Sequence, residues 1–200
     1  TRGGRKISIP PSLLFSMIAK MDDVRKAVTP DCKTAGDLVY VIGLTKPELG
    51  GSEYFAMLDA TGNNVPKVDA DMALRTFHAV SEATGRELVR SLTTPALGGL
   101  AVAFARCAMA GRLGMEIDLG KIPAEACSEL ELLFSESNSR FVATVAPGDA
   151  AAFEALLAGV PFARVGVVTE TPELLLHGAA PVSVSVEALL REYKGTLDQI

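Results

Sequence analysis

The chain predicts an α/β (α+β) fold, a sheet with helices on at least one face, as one domain over residues 1–200. Three observations lead there. Apolar residues recur with period two in some segments and with a period of about 3.6 in others, the two alternating along the chain. Several short apolar runs then follow one another closely near the C-terminal end, as paired strands do. With 48% apolar residues in 200, the chain can bury a substantial core.

The elements follow in order. "KISIP", 5 to 9, reads as a strand, and "PSLLFSMIAKM" as a helix starting at Pro11 and Ser12 with Leu13, Leu14, Met17 and Ile18 on one face. "DLVYVIGL", 37 to 44, is nearly all apolar, β-branched or aromatic between Gly36 and Gly43, which predicts a central strand. A helix of about ten residues is expected from Ser52. Asp69 to Ala83 predicts a long helix, capped by the aspartate and ended by Thr84-Gly85. Thr94 and Pro95 read as N-cap and first position of a helix over 97 to 110. "GMEIDLG" alternates as a strand, and "PAEACSELELLF" reads as a helix with Pro123 in its first turn. A strand "RFVATVAP", a helix "GDAAAFEALLAG", a strand "FARVGVVTE", a hairpin from "LLLHG" and "APVSVSV", and a closing helix "VEALLREYKGTL" complete the chain.

Charge narrows the function. There are 19 basic and 24 acidic residues, a net of -5, with no block of five like charges, which argues against nucleic acid as a partner. Cys32, Cys107 and Cys127 are far apart and form no C-x-x-C, so neither a disulfide nor a metal cluster is expected and a reducing cytoplasm fits. The longest apolar run, Gly98 to Ala105, is far short of the roughly 20 residues that span a bilayer. The chain starts on Thr1, and we expect it to be a piece of a longer protein.

Two glycine pairs carry the local candidates. In "IGLTKPELGGSEY" a strand gives way to Gly50, Gly51 and Ser52 at a helix start, which is either an anion cradle of backbone N–H groups or a tight turn with Ser52 as cap. In "SLTTPALGGL" Gly98 and Gly99 open an apolar helix without any acid, histidine or lysine, which favours close packing over a ligand. Glu136 and Arg140 in "LFSESNSRF" read as a solvated surface pair, ahead of a carboxylate ligand for a hydroxyl or metal. Asp59, Asn63 and Asn64 read as turn residues, and His78 and His177 as hydrogen-bonded structural histidines. No G-x-S-x-G is present, so the chain offers no self-sufficient catalytic set and no catalytic residue.

The order of the blocks says more than any one of them. "VTPDCKTAGDLVYVIGLTKPELGGSEY", then "GGLAVAFARCAMAGRLGMEIDL", then "LLFSESNSRFVATV" resembles the C-terminal PurM-like domain of the phosphoribosylformylglycinamidine synthase family, over roughly residues 6 to 195. The resemblance implies a PurM C-terminal-like mixed sheet with helices packed on one side. It implies an ATP-dependent C–N ligase of purine biosynthesis, cytoplasmic, using ATP and magnesium in the longer enzyme, with neither bound by this domain alone. The implied partners are N-terminal domains of the same chain, which carry the catalytic histidine, and a glutaminase domain or subunit. "LGGSEY" and "VSVEALLREYKGTL" suggest the C-terminal half of the second of two fused copies.

Residue by residue, "ELGGSEY" matches in full, so the resemblance implies phosphate-facing roles for Gly50, Gly51 and Ser52, and the retained Gly98 and Gly99 of the other loop are further phosphate-binding candidates. The other loop departs from the family's S-x-H-D-x-S-E-G-G-L. Thr93 stands for the histidine, Thr94 for the aspartate, Ala96 for the serine and Leu97 for the glutamate. A neutral hydroxyl is a poor ligand for a hard cation, so the auxiliary nucleotide and magnesium site is expected to be degenerate. The isolated domain is expected to be inactive; the alternative is a non-catalytic interaction or regulatory module that retains the fold.

Overall fold

The computed structural model describes residues 14–195, and its sheet is organised around β1 (Leu38–Ile42), whose five residues are all buried. Successive side chains of a strand point to opposite faces, so a strand covered on both sides reads as a continuous apolar run. Val39 and Val41 enter one core, and Leu38, Tyr40 and Ile42 the other. Around β1 lie β2 (Ser91–Thr93), β3 (Gly114–Asp118), β4 (Phe141–Val145), β5 (Phe162–Thr169), β6 (Glu173–His177) and β7 (Val182–Ser185), in the order β2-β4-β1-β5-β3-β6-β7. Neighbours are antiparallel except β3 and β6, which run parallel with Ile117 beside Leu176. The sheet is therefore mixed, as expected.

The helices are α1 (Glu53–Met57), α2 (Ala70–Gly85), α3 (Gly99–Gly111), α4 (Glu129–Phe134), α5 (Ala150–Leu156) and α6 (Val186–Gly195). They do not share one side. Leu100, Phe104 and Cys107 of α3, with Leu132 of α4 and Leu189 of α6, pack against Val39 and Val41. Val80 and Ala83 of α2, with Phe153 of α5 and Leu157 just after it, pack against Tyr40 and Ala143 on the opposite face. The alternation within β1 demands this second layer, which corrects the expectation of one-sided packing.

Other departures are local. Residues 14–21 form no helix, and Leu14, Met17 and Ile18 are almost fully exposed; the stripe predicted for them finds no apolar partner among the described residues, and burial is what stabilises most helices. The strand placed at 5 to 9, with Pro11 and Ser12, lies outside the described residues. Ser52 does cap α1, accepting from Phe55 N–H, but that helix is five residues long and ends before Asp59 at φ 53°. α4 begins five residues after Pro123's neighbour Ala124, at a capping box in which Ser128 and Glu131 satisfy each other's backbone N–H groups. The short strand β2 was not expected from its sequence; its Ser91 hydroxyl lies 2.7 Å from that of Thr144 on β4.

Candidate functional site

The three blocks singled out in the sequence meet in space. The turn 135–140 between α4 and β4 lies under the loop 44–52 that leaves β1, and against the start of α3. Ser135 Oγ accepts from Glu48 N–H at 3.2 Å, and Ser137 Oγ from Lys46 N–H at 3.1 Å. Glu136 completes the junction: its Oε1 accepts from Glu53 N–H at the start of α1 and from Gly98 N–H before α3, each at 2.9 Å. The stacked rings of Tyr54 and Phe134, 4.9 Å apart, close the same contact from the apolar side.

Arg140 is the buried centre of this turn, with 1% exposure. Nε donates to Ser137 O at 2.9 Å, Nη1 to Thr45 Oγ1 at 2.9 Å and Nη2 to Ser135 O at 2.5 Å, so one guanidinium fork fixes two loops. Burial pulls its pKa down to about 10, partly offset by the nearby Glu48 carboxylate, and it remains charged at neutral pH. Glu136 and Arg140 thus do not form the expected solvated pair. Each bonds to backbone or hydroxyl groups of other segments, which sequence spacing cannot show.

The glycine pairs sit at this junction. Gly98 has φ 80° and no side-chain cap follows from it, while Gly99 has φ 63°. A Cβ on Gly99 would come 2.6 Å from Leu133 O and 2.7 Å from Ser135 O, so only glycine lets α3 begin against the turn. Thr94 lies exposed outside α3, which corrects its expected capping role: the left-handed glycines, not the threonine and proline, set the start of the helix. In the other loop Gly50 N–H donates to Asn64 O, Gly51 N–H to Thr61 O and Ser52 N–H to Leu49 O. Gly99 N–H donates to Ala96 O. The N–H groups of all five candidate phosphate residues therefore have acceptors within the chain, Glu136 being the only anionic one.

Thr93, Thr94, Ala96 and Leu97 supply no carboxylate, and among the described residues no group of three or more His, Cys, Asp or Glu could hold a metal ion. The donor set here does not fit magnesium. His177 Nε2 lies 2.8 Å from Glu116 Oε1 on the open face of the β3–β6 pair. His78 is exposed on α2 without a hydrogen bond to its ring among the described residues, contrary to the expected structural bond. Burial pushes the Cys32 and Cys107 thiols up to about 12, which leaves them inert as nucleophiles.

Residues 34–177, the stretch that contains this junction, match the family described as AIR synthase related protein, C-terminal domain. The chain belongs to that family. Among its curated relatives, the phosphoribosylformylglycinamidine synthase subunit PurL of Thermococcus gammatolerans is 46% identical over 107 residues, 54% of this chain and 15% of the relative. The PurL subunit of Thermococcus sibiricus is 33% identical over 173 residues, 86% of this chain and 24% of the relative. The chain thus spans less than a quarter of the length of these relatives. T. maritima PurL complexed with FGAR superposes with a TM-score of 0.73 at 20% identity, covering 83% of this chain and 30% of that one. The hydrogenase maturation protein HypE in complex with ATP has the same fold at a TM-score of 0.59 and 15% identity, over 81% of this chain and 54% of that one.

The AIR synthase related C-terminal fold is therefore shared by PurL and HypE, and the fold alone does not select a reaction. No helix among its described residues is long and apolar enough to cross a membrane.

Proposed function

We propose that the chain serves as the C-terminal PurM-like domain of a phosphoribosylformylglycinamidine synthase, an ATP-dependent ligase joining glutamine-derived ammonia to formylglycinamide ribonucleotide in the cytoplasm. The observation that carries this reading is the convergence of "ELGGSEY" and "LGGL" on Glu136 of "SESNSR". The two PurL relatives support the assignment. In this reading ATP binding and the chemical step belong to N-terminal domains and ammonia supply to a glutaminase, so the 200-residue chain is inactive alone.

The phosphate-facing role of Gly50, Gly51, Ser52, Gly98 and Gly99 takes a specific form within the proposal. An arriving phosphate competes with the Glu136 carboxylate for the Gly98 and Glu53 N–H groups, since both are anions seeking the same donors. The auxiliary nucleotide site is degenerate, because Thr94 and Ala96 cannot replace a carboxylate on magnesium.

A chimera tests the proposal. Placing this chain in the corresponding quarter of the Thermococcus sibiricus subunit is expected to retain ATP- and ammonia-dependent amidine formation, while the chain alone gives none. A folded chimera without activity overturns the ligase reading in favour of a non-catalytic module. Calorimetry of the chimera with Mg-ADP reads the second point: stoichiometric binding that is lost on altering Thr93 or Thr94 overturns degeneracy.

A further inference from the structure

Five large apolar side chains stand within residues 14–21, and Leu14, Phe15, Met17, Ile18 and Met21 are all exposed, Leu14 at 90% and Met17 at 93%. Single apolar residues on a surface are ordinary, but a contiguous run marks contact with another body. The backbone makes a matching demand. No N–H or C=O of 14–21 pairs with another backbone group among the described residues. Burying these side chains with the backbone left unpaired would cost free energy, so whatever covers the run must also supply hydrogen bonds.

A strand added to the edge of a sheet meets both demands. With period two, Phe15, Met17, Ala19 and Met21 fall on one wholly apolar face, and Leu14, Ser16, Ile18 and Lys20 on the other. A helix would leave Phe15 off the stripe of Leu14, Met17, Ile18 and Met21, and so short a segment is marginal as a helix.

The run stands apart from the C-terminal body. Asp22 to Ala27 tether it through a 3₁₀ turn at Val24–Lys26, Val28 packs against the core, and the family match starts only at residue 34. Met21 lines an apolar groove with Phe77, Leu92 and Phe141, so the uncovered surface continues from the run onto α2. The matched family is a C-terminal domain, and the part of Thermococcus sibiricus PurL matched here is 24% of that subunit, which leaves ample chain to supply a sheet.

We propose that residues 14–21 are a strand in the sheet of the domain that precedes this one in the longer protein, and that the C-terminal domain proper begins near Val28. This rests on the chain being a C-terminal domain, as in the reading above, and not on the ligase reaction.

Hydrogen exchange of 14–21, read by mass spectrometry, tests it in the isolated 200-residue chain and in the Thermococcus sibiricus chimera. Exchange is expected to be unprotected in the isolated chain and at least about a hundredfold slower in the chimera. Met17→Lys is expected to leave the melting temperature of the isolated chain within about 1 °C, because the site is exposed there, and to abolish most of the protection in the chimera. Should that variant keep the chimera from folding, Met17→Ala is expected to speed exchange of 14–21 there about tenfold. Unprotected exchange of 14–21 in a folded chimera overturns the inference. So does protection in the isolated chain that grows with its concentration, which would make a second copy the occupant, or a crystal structure of the chimera with 14–21 helical. A chimera that protects 14–21 yet forms no amidine upholds the strand and overturns the ligase reading alone.

Discussion

Glu136 Oε1 and Gly98 N–H lie 2.9 Å apart across 38 residues of sequence, and the same oxygen holds Glu53 N–H at the same distance. One carboxylate thereby ties the starts of α1 and α3 to the turn before β4. Removing it with Glu136→Ala is expected to cost about 2 kcal/mol in urea unfolding, the loss of two charge-assisted bonds discounted for partial exposure. Hydrogen exchange should accelerate at the Gly98 and Glu53 amides together, whereas acceleration at one alone would show that the loops are not coupled through Glu136.

Gly99 and Gly51 separate steric demand from backbone preference. Both have positive φ, 63° and 70°, but a Cβ on Gly99 meets two carbonyl oxygens and one on Gly51 meets nothing within 4 Å. Gly51→Ala should cost about 1 kcal/mol, the left-handed penalty alone. Gly99→Ala should cost about 3 kcal/mol, because the turn after α4 must also move. Thermal denaturation of the two variants side by side reads the difference; equal losses would contradict the close approach.

Arg140→Met is expected to destabilise by about 3 kcal/mol, since it leaves the Ser135 and Ser137 carbonyls and the Thr45 hydroxyl without their donor and Glu48 without its nearby cation. Arg140→Lys should recover little of this, because one ammonium cannot reproduce a three-directional fork. A lysine variant as stable as the parent chain would show that charge, not geometry, holds the turn.

Asp37 sets a pH dependence. Burial pushes its carboxyl above the ordinary 3.8, opposed by Arg90 at 3.1 Å, and Oδ2 has no partner. A carboxyl raised on folding binds its proton more tightly in the folded state, so this contribution to stability is present below the unfolded value and is lost as pH rises through the folded one. Across that window, upward from 3.8, Asp37→Asn should flatten the decline in stability measured by urea titration. An unchanged slope would mean that Arg90 balances the burial cost in full.

Much of the fold was legible because it is written in local patterns. The buried run of β1, the aspartate cap of α2, the β6–β7 hairpin and the closing helix all stand where periodicity and turn residues put them. The errors share a cause. The stripe in residues 14–21 was real as a pattern but has no apolar partner among the described residues, and Thr94-Pro95 was a good cap signal overridden by two left-handed glycines. The Ser128–Glu131 capping box was readable in S-E-L-E and marks the true start of α4.

The sequence by itself determined the α/β class, the central strand, the family resemblance and the absence of acidic side chains at 93 to 97, since each depends on residue types at short spacing. Only the tertiary structure decided that helices cover both faces, that Arg140 is buried, and that Glu136 occupies the donors offered by two glycine loops. Those outcomes depend on which polar groups meet across long separations, 38 residues for Glu136 and Gly98 and 95 for Arg140 and Thr45. Hydrogen-bond satisfaction is settled there by packing, and no local spacing encodes it.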